Sequence, residues 1–146
     1  MAKVDKEGII NVPVEDIFSY LCEPSNAPEF WPSLMEIKDV KSLPNGGYNV
    51  RWVYKMVGMR FEGQGEYTEI VPNQWFVIDT KGGVNSKITC TFRSNENKTK
   101  MTLTIEYKVP VPLLGKLAEA IIMRMNDQEA DLLMVNLGAR FIRPKH

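Results

Sequence analysis

The amino-acid sequence predicts an α+β domain in which a strongly curved antiparallel sheet wraps one long C-terminal helix, with two short helices after the first strand. Three observations predict it. From about Met35 to Val109, apolar residues recur with a period of two, as in strands with one dry and one wet face. From Leu113 to about Phe141 no proline interrupts a helical pattern. At about 1.5 Å per residue it would run roughly 40 Å, enough to cross a small sheet. Between Pro13 and Pro32 the apolar spacing is helical but is cut by Pro24. A curved sheet closed by a long helix buries the apolar faces of both.

The elements follow in order. "KVDKEGIINV" (Lys3 to Val12) reads as the first strand. In "PVEDIFSYLC", Val14, Ile17, Phe18, Leu21 and Cys22 form one helical face. Pro13 suits the start of that helix, and Glu15 and Asp16 suit its dipole. "SNAPEFW" reads as a second short helix, capped by Ser25 or Asn26 and stopped by Pro32.

The strands come next. "YNVRWVYKM" puts Tyr48, Val50, Trp52, Tyr54 and Met56 on one face, and "MRFEGQGEYTEI" does the same for Met59, Phe61, Gly63, Gly65 and Tyr67. A tight turn at Val57-Gly58 pairs Met56 with Met59, Tyr54 with Phe61, Trp52 with Gly63, Val50 with Gly65, and Tyr48 with Tyr67, joining like face to like. "KITCTFR" turns Ile88, Cys90 and Phe92 inward, and "KMTLTIEYKV" turns Met101, Leu103, Ile105, Tyr107 and Val109 inward. "QWFVID" is a further strand whose inward face the pattern leaves open. "PNGG" and "NENK" are hairpin turns. On the final helix the strongest apolar stripe is Leu114, Leu117, Ile121, Met125, Leu132, Val135 and Ala139, with Gln128 near its middle. Leu133, Met134, Leu137 and Phe141 lie on other faces, a surplus that could meet a second copy, a membrane surface or a protein partner.

Composition narrows the function. The 146 residues suit one domain, and Lys plus Arg equals Asp plus Glu at 18 each, so no bulk charge draws nucleic acid. No apolar run reaches membrane-span length, and "MAKVDKEGII" has no signal-peptide core, which predicts a cytoplasmic protein without an integral membrane segment. Cys22 and Cys90 sit in apolar patterns and read as core residues. The single histidine, His146, is the last residue, a poor place for a base or a metal ligand. Histidine triads and histidine-held metals are therefore set aside, and no cofactor or metal is expected. Any acid–base chemistry would fall to Asp, Glu, Tyr, Lys or Arg.

Three stretches resemble the START-related (SRPBCC) superfamily of lipid-transfer domains, plant pathogenesis-related allergens, and polyketide cyclases and dehydrases. "INVPVEDIFSYLCEPSNAPEFWPSLMEIKDV" is similar to its strand-helix-helix opening, "ITCTFRSNENKTKMTLTIEYKVP" to its paired last strands, and "PLLGKLAEAIIMRMNDQEADLLMVNLGARF" to its closing helix. The resemblance covers nearly the whole chain. It implies a helix-grip fold, with about seven antiparallel strands gripping the last helix over an apolar cavity that binds lipids, sterols or polyketides. The superfamily shares no catalytic residue, so none is carried over. Cys22-Glu23 stands where the family often has Asp, and the tail "RPKH" is basic where the family is often acidic.

The expected function is therefore binding or carriage of a hydrophobic small molecule, by a monomer or homodimer. A cyclase or dehydratase and an interaction subunit are the alternatives. Candidate ligand-contacting residues are Phe30, Trp31, Leu34 and Met35 at the gate, and Trp52, Tyr54, Met56, Met59, Phe61, Tyr67, Cys90, Phe92, Leu103, Ile105 and Tyr107 on the sheet. Ile121, Met125, Gln128 and Leu132 complete the set on the helix, with Glu129 and Asn136 flanking their stripe. The plain reading of each is core. Aromatic and methionine content, tyrosine hydroxyls that need partners, and inward glycines argue for a cavity. Gly63 and Gly65 either open room or bend the strand. Gln128 could bond a ligand's polar end or a buried tyrosine. Asp79 and Glu69 are strand acids that read as exposed.

Overall fold

The computed structural model describes residues 2–56, 58–108 and 116–141, and the side chains of Met56 and residues 116–119 fall outside it. Strand β1 (Ala2–Ile10) leads into helix α1 (Val14–Leu21), a 3₁₀ turn (Pro24–Asn26) and a single-turn helix α2 (Ala27–Phe30). Six strands follow: β2 (Leu34–Ser42), β3 (Tyr48–Met56), β4 (Met59–Val71), β5 (Trp75–Gly82), β6 (Ser86–Asn95) and β7 (Lys98–Tyr107). Helix α3 (Lys116–Arg140) closes the fold. The strands form one seven-stranded sheet in the order β1-β7-β6-β5-β4-β3-β2, every neighbouring pair antiparallel. This is the helix-grip architecture. Leu114 and the helix start at residues 113–115 lie outside the described residues, as does the side chain of Leu117.

The β3–β4 hairpin has the register its side-chain alternation dictates. Met56 pairs with Met59, Tyr54 with Phe61, Trp52 with Gly63 and Val50 with Gly65. Tyr48 and Tyr67 meet edge-to-face, their ring centroids 5.9 Å apart. Strand β5, left open by the pattern, turns Phe76 and Ile78 toward the core, opposite Cys90 and Ile88 of β6.

Helix α1 plugs one end of the grip. Val14, Ile17, Phe18 and Leu21 are buried, and the Phe18 ring packs edge-on to Phe76 at 6.0 Å and Phe92 at 5.3 Å. Phe30, Cys90, Phe92, Met101 and Leu103 belong to this solid core, with Leu133 and Leu137 of α3. Thr99, fully buried between the layers, donates its hydroxyl to Val12 O at 2.9 Å, so its burial leaves no orphaned donor.

The facing of α3 corrects the sequence reading. Ile122, Ala130, Leu133 and Leu137 are buried, whereas Ile121, Met125, Leu132 and Val135 are 52%, 43%, 53% and 65% exposed. Gln128 is exposed with them. At about 100° per residue the two stripes lie roughly 135° apart, so the helix has two apolar faces and only one meets the sheet. The residues read as surplus form the core contact, and the stripe read as core faces outward. Apolar count alone favours the wrong one, because the docked stripe also carries Asn126 and Glu129, whose partners lie elsewhere in the chain.

Leu137→Ala should therefore cost about 2–5 kcal/mol as a buried truncation. Val135→Ala should stay within about 0.5 kcal/mol. Urea denaturation of both variants measures the difference, and the reverse ranking would put the other stripe against the sheet.

Candidate functional site

Beyond the core plugged by α1, sheet and helix part to leave a cavity of about 140 Å³. Its floor is the inner face of the sheet: Val50, Trp52 and Tyr54 of β3, Gly65 and Tyr67 of β4, and Ile78 and Thr80 of β5. Ser86 and Ile88 of β6, Ile105 and Tyr107 of β7, and Val4 of β1 extend it. The roof is Asn126, Glu129, Ala130 and Leu133 of α3. Pro24, Ala27, Trp31, Leu34, Ile37 and Val84 complete the lining.

The two inward glycines differ in purpose. A Cβ on Gly63 would collide with the Trp52 ring and the Lys81 carbonyl, so glycine here lets the indole lie flat on β4. A Cβ on Gly65 would sit at ordinary contact distance, 3.5 Å from Val50 Cγ2, and Gly65 lines the cavity. The first glycine admits a side chain and the second leaves room.

One polar cluster interrupts the apolar wall. The Glu129 carboxylate accepts three hydrogen bonds: from Ser33 N–H to Oε1 at 3.0 Å, from Ser33 Oγ to Oε2 at 2.7 Å, and from the Tyr54 hydroxyl to Oε2 at 2.9 Å. Trp31 stands edge-on to Tyr54, with ring centroids 6.4 Å apart. Asn136 donates to Phe30 O at 3.1 Å, and Arg140 pairs with Glu29 at 2.9 Å. The proline-bounded segment from Pro24 to Leu34 is thus latched to α3 at three points. Phe30, 6% exposed, anchors it in the core, while half-buried Trp31 walls the cavity. Trp52 Nε1 is buried and has no hydrogen-bond partner among the described residues.

Burial, followed by the charge of Glu129 and the hydrogen bond to it, pushes the Tyr54 hydroxyl well above its ordinary pKa. Burial also raises Tyr67 and Tyr107. Tyr20 is pushed up to about 12 by burial and by its hydrogen bond to Glu29. Burial also raises Cys22 to about 11, so it is not a reactive thiolate at neutral pH.

Of the residues singled out in the sequence, Trp31, Leu34, Trp52, Tyr54, Tyr67, Ile105 and Tyr107 come together around the cavity. Phe30, Cys90, Phe92 and Leu103 do not, because α1 covers that end of the sheet. Met35 points outward on edge strand β2 and is 56% exposed, and Met59, at the hairpin tip, is 38% exposed. Phe61 is half-buried near that tip, outside the lining, and the Met56 side chain lies outside the description. Ile121, Met125, Gln128 and Leu132 face away, as the turn of α3 requires. Glu69 is exposed, and Asp79 alternates with Ile78 and Thr80, which line the cavity. The sequence reading missed Ile78 and Thr80, whose strand face it left open, and Asn126, which breaks the spacing Ile122, Glu129, Leu133 and Leu137.

A family model described as polyketide cyclase / dehydrase and lipid transport matches residues 1–141. Solved structures share the fold at low identity. A Thermus thermophilus protein is 18% identical with a TM-score of 0.83, the match covering 95% of this chain and 96% of that one. A START superfamily protein from Mycobacterium smegmatis is 12% identical at a TM-score of 0.81, covering 97% of each chain. The Zhui aromatase/cyclase from a Streptomyces species is 12% identical at 0.77, covering 94% of this chain and 92% of that one. No curated protein matches the sequence.

The four raised tyrosines set an alkaline limit. In the unfolded chain they ionise near pH 10, so above that pH the unfolded state loses protons the folded state keeps. The tyrosine contribution should be fully present below pH 10 and lost as pH rises beyond it, with the Cys22 and Cys90 thiols, also raised by burial, beginning the fall from about pH 9. Phenolate absorbance should lag in the folded protein, and Tyr54→Phe should flatten the fall. A normal titration of all the tyrosines near pH 10 would contradict the burial described.

Proposed function

The chain belongs to the polyketide cyclase / dehydrase and lipid transport family, and from that premise we propose that it binds a hydrophobic small molecule, lipid, polyketide or aromatic in character, in the cavity between sheet and α3. The observation that carries this reading is the cavity itself, about 140 Å³ of apolar-walled space in an otherwise packed interior. Apolar burial supplies the affinity. The Tyr54, Tyr67 and Tyr107 hydroxyls and the Glu129 carboxylate orient the ligand's polar end. A dry cavity near 150 Å³ holds about one aromatic ring, so a longer molecule must displace the segment from Trp31 to Leu34.

The Glu129 cluster favours a second reading. A carboxylate and a tyrosine hydroxyl in hydrogen-bond contact at a cavity wall are suited to proton transfer, as a cyclase or dehydratase requires. On that reading Glu129 is the base, Tyr54 the donor, and the cavity wall holds the chain folded for reaction. Turnover of a short poly-β-ketone that is lost in Glu129→Gln while ligand affinity is kept would select the enzyme over the carrier.

Binding is tested by native mass spectrometry of gently purified protein and by titration with an environment-sensitive fluorescent fatty acid. Gly65→Val puts two methyls into the cavity beside Val50, Trp52 and Ile78 and should weaken binding at least tenfold, about 1.4 kcal/mol, with circular dichroism checking that the fold is kept. Trp31→Ala should weaken binding with little loss of stability, whereas Phe30→Ala should cost about 3–5 kcal/mol of stability. Dye binding that is absent in the wild type, or untouched by Gly65→Val, would sink the reading.

A further inference from the structure

The outward stripe of α3 has an ordered spacing of its own. Ile121, Met125, Gln128, Leu132, Val135 and Ala139 follow one another at intervals of four, three, four, three and four residues. That is the 3.5-residue repeat by which one helix packs its knobs into the holes of another. All six side chains are exposed, and Ile121, Leu132 and Val135 are more than half exposed. A fold that needed this face only for water would not repeat large apolar groups along it at that interval.

We propose that this seam is a self-association surface, on which α3 packs antiparallel against α3 of a second copy about a two-fold axis between Met125 and Gln128. The flanking charges choose the partner and the direction. On one flank lie Arg124, exposed and without a salt-bridge partner among the described residues, and Asp131, 61% exposed. Lys6 is shared between Asp127 and Asp131, each at 3.0 Å, so that cluster carries a net charge of −1 (one cation, two carboxylates). With Ile121 opposite the partner's Leu132 and Met125 opposite its Gln128, Arg124 of each copy falls beside Asp131 of the other. The two-fold makes this contact twice.

A parallel pairing offers nothing comparable. It would set the Arg124 flank against the opposite flank of the partner helix, where Ile122, Glu129 and Asn136 are turned into their own fold. The exposed amide of Gln128 is the polar group on an apolar seam that fixes register and partner number at some cost in affinity. The surface lies on the far side of α3 from the cavity, so association and ligand binding are separable.

Analytical ultracentrifugation of the full chain at concentrations up to about 100 µM is the test. The wild type should sediment as a dimer that weakens with salt. Val135→Glu should be monomeric with unchanged circular dichroism. Arg124→Asp should weaken the dimer at least tenfold, and adding Asp131→Arg in the same chain should restore it. A monomeric wild type, or a dimer indifferent to Val135→Glu, would overturn the proposal. A monomer that co-sediments with anionic phospholipid vesicles through Val135 would also overturn it, assigning the seam to a membrane surface. Failure of the charge swap to rescue Arg124→Asp would overturn the antiparallel register.

Discussion

The Glu129 carboxylate is the interaction on which the arrangement depends. Helix α3 could dock either of two apolar stripes, and burial alone separates them poorly: a fully buried Leu or Ile is worth about 1.5–3 kcal/mol on either face. What differs is the polar content. The docked stripe brings Glu129 to Ser33 N–H, Ser33 Oγ and the Tyr54 hydroxyl. Hydrogen bonds to a charged group contribute about 1.5–3 kcal/mol each. Docked the other way, Ser33 and Tyr54 would lose their acceptor and Gln128 would meet an apolar wall. The carboxylate thereby sets the rotation of the helix, the roof of the cavity and the position of the segment that closes it.

The same three donors explain why a cavity survives beside a dense core. Where α1 lies on the sheet, Phe18, Phe76 and Phe92 fill the gap ring to ring. Farther along, the chain spends its prolines holding a short segment across the mouth instead of filling the space beneath it. Pro24 opens the 3₁₀ turn, Pro28 sits in the first turn of α2, and Pro32 follows its end. Trp31 and Leu34 reach in from that segment beside Tyr54, Trp31 edge-on to its ring and Leu34 its cross-strand partner, and both line the cavity. The segment is fixed at Phe30 by burial and at Ser33 by hydrogen bonds.

The sheet was legible because its information is local. Alternation over nine or more residues and a two-residue turn fix the β3–β4 register with no reference to the rest of the chain. Trp52, Tyr54 and Tyr67 follow from that hairpin and Tyr107 from the same alternation along β7, all by counting in twos. Helix facing was not legible. A residue's place on a helix follows from the period, but which stripe docks depends on partners ninety-six and seventy-five positions away, Ser33 and Tyr54. The stripe richest in large apolar residues was the natural choice and was wrong, because a helix with two apolar faces carries no local mark of which one is inside. The same limit hid Asn126, a polar residue on the docked face.

On the function proposed above, the latch would also couple the size of a guest to its affinity. A ligand that fits within the cavity as it stands would bind without parting Ser33 from Glu129. One that is longer must part Ser33 from Glu129, and its apparent affinity falls by the fraction of molecules in which the segment is open. Two charge-assisted hydrogen bonds from Ser33 make that fraction small. The cost is offset only if the guest brings a donor of its own to the freed carboxylate oxygens. A hydroxyl or amine at the end of an apolar body does so, and a plain hydrocarbon does not. On that proposal, selectivity would arise from competition for one acceptor: the protein's own serine holds it until a guest with matching chemistry takes its place.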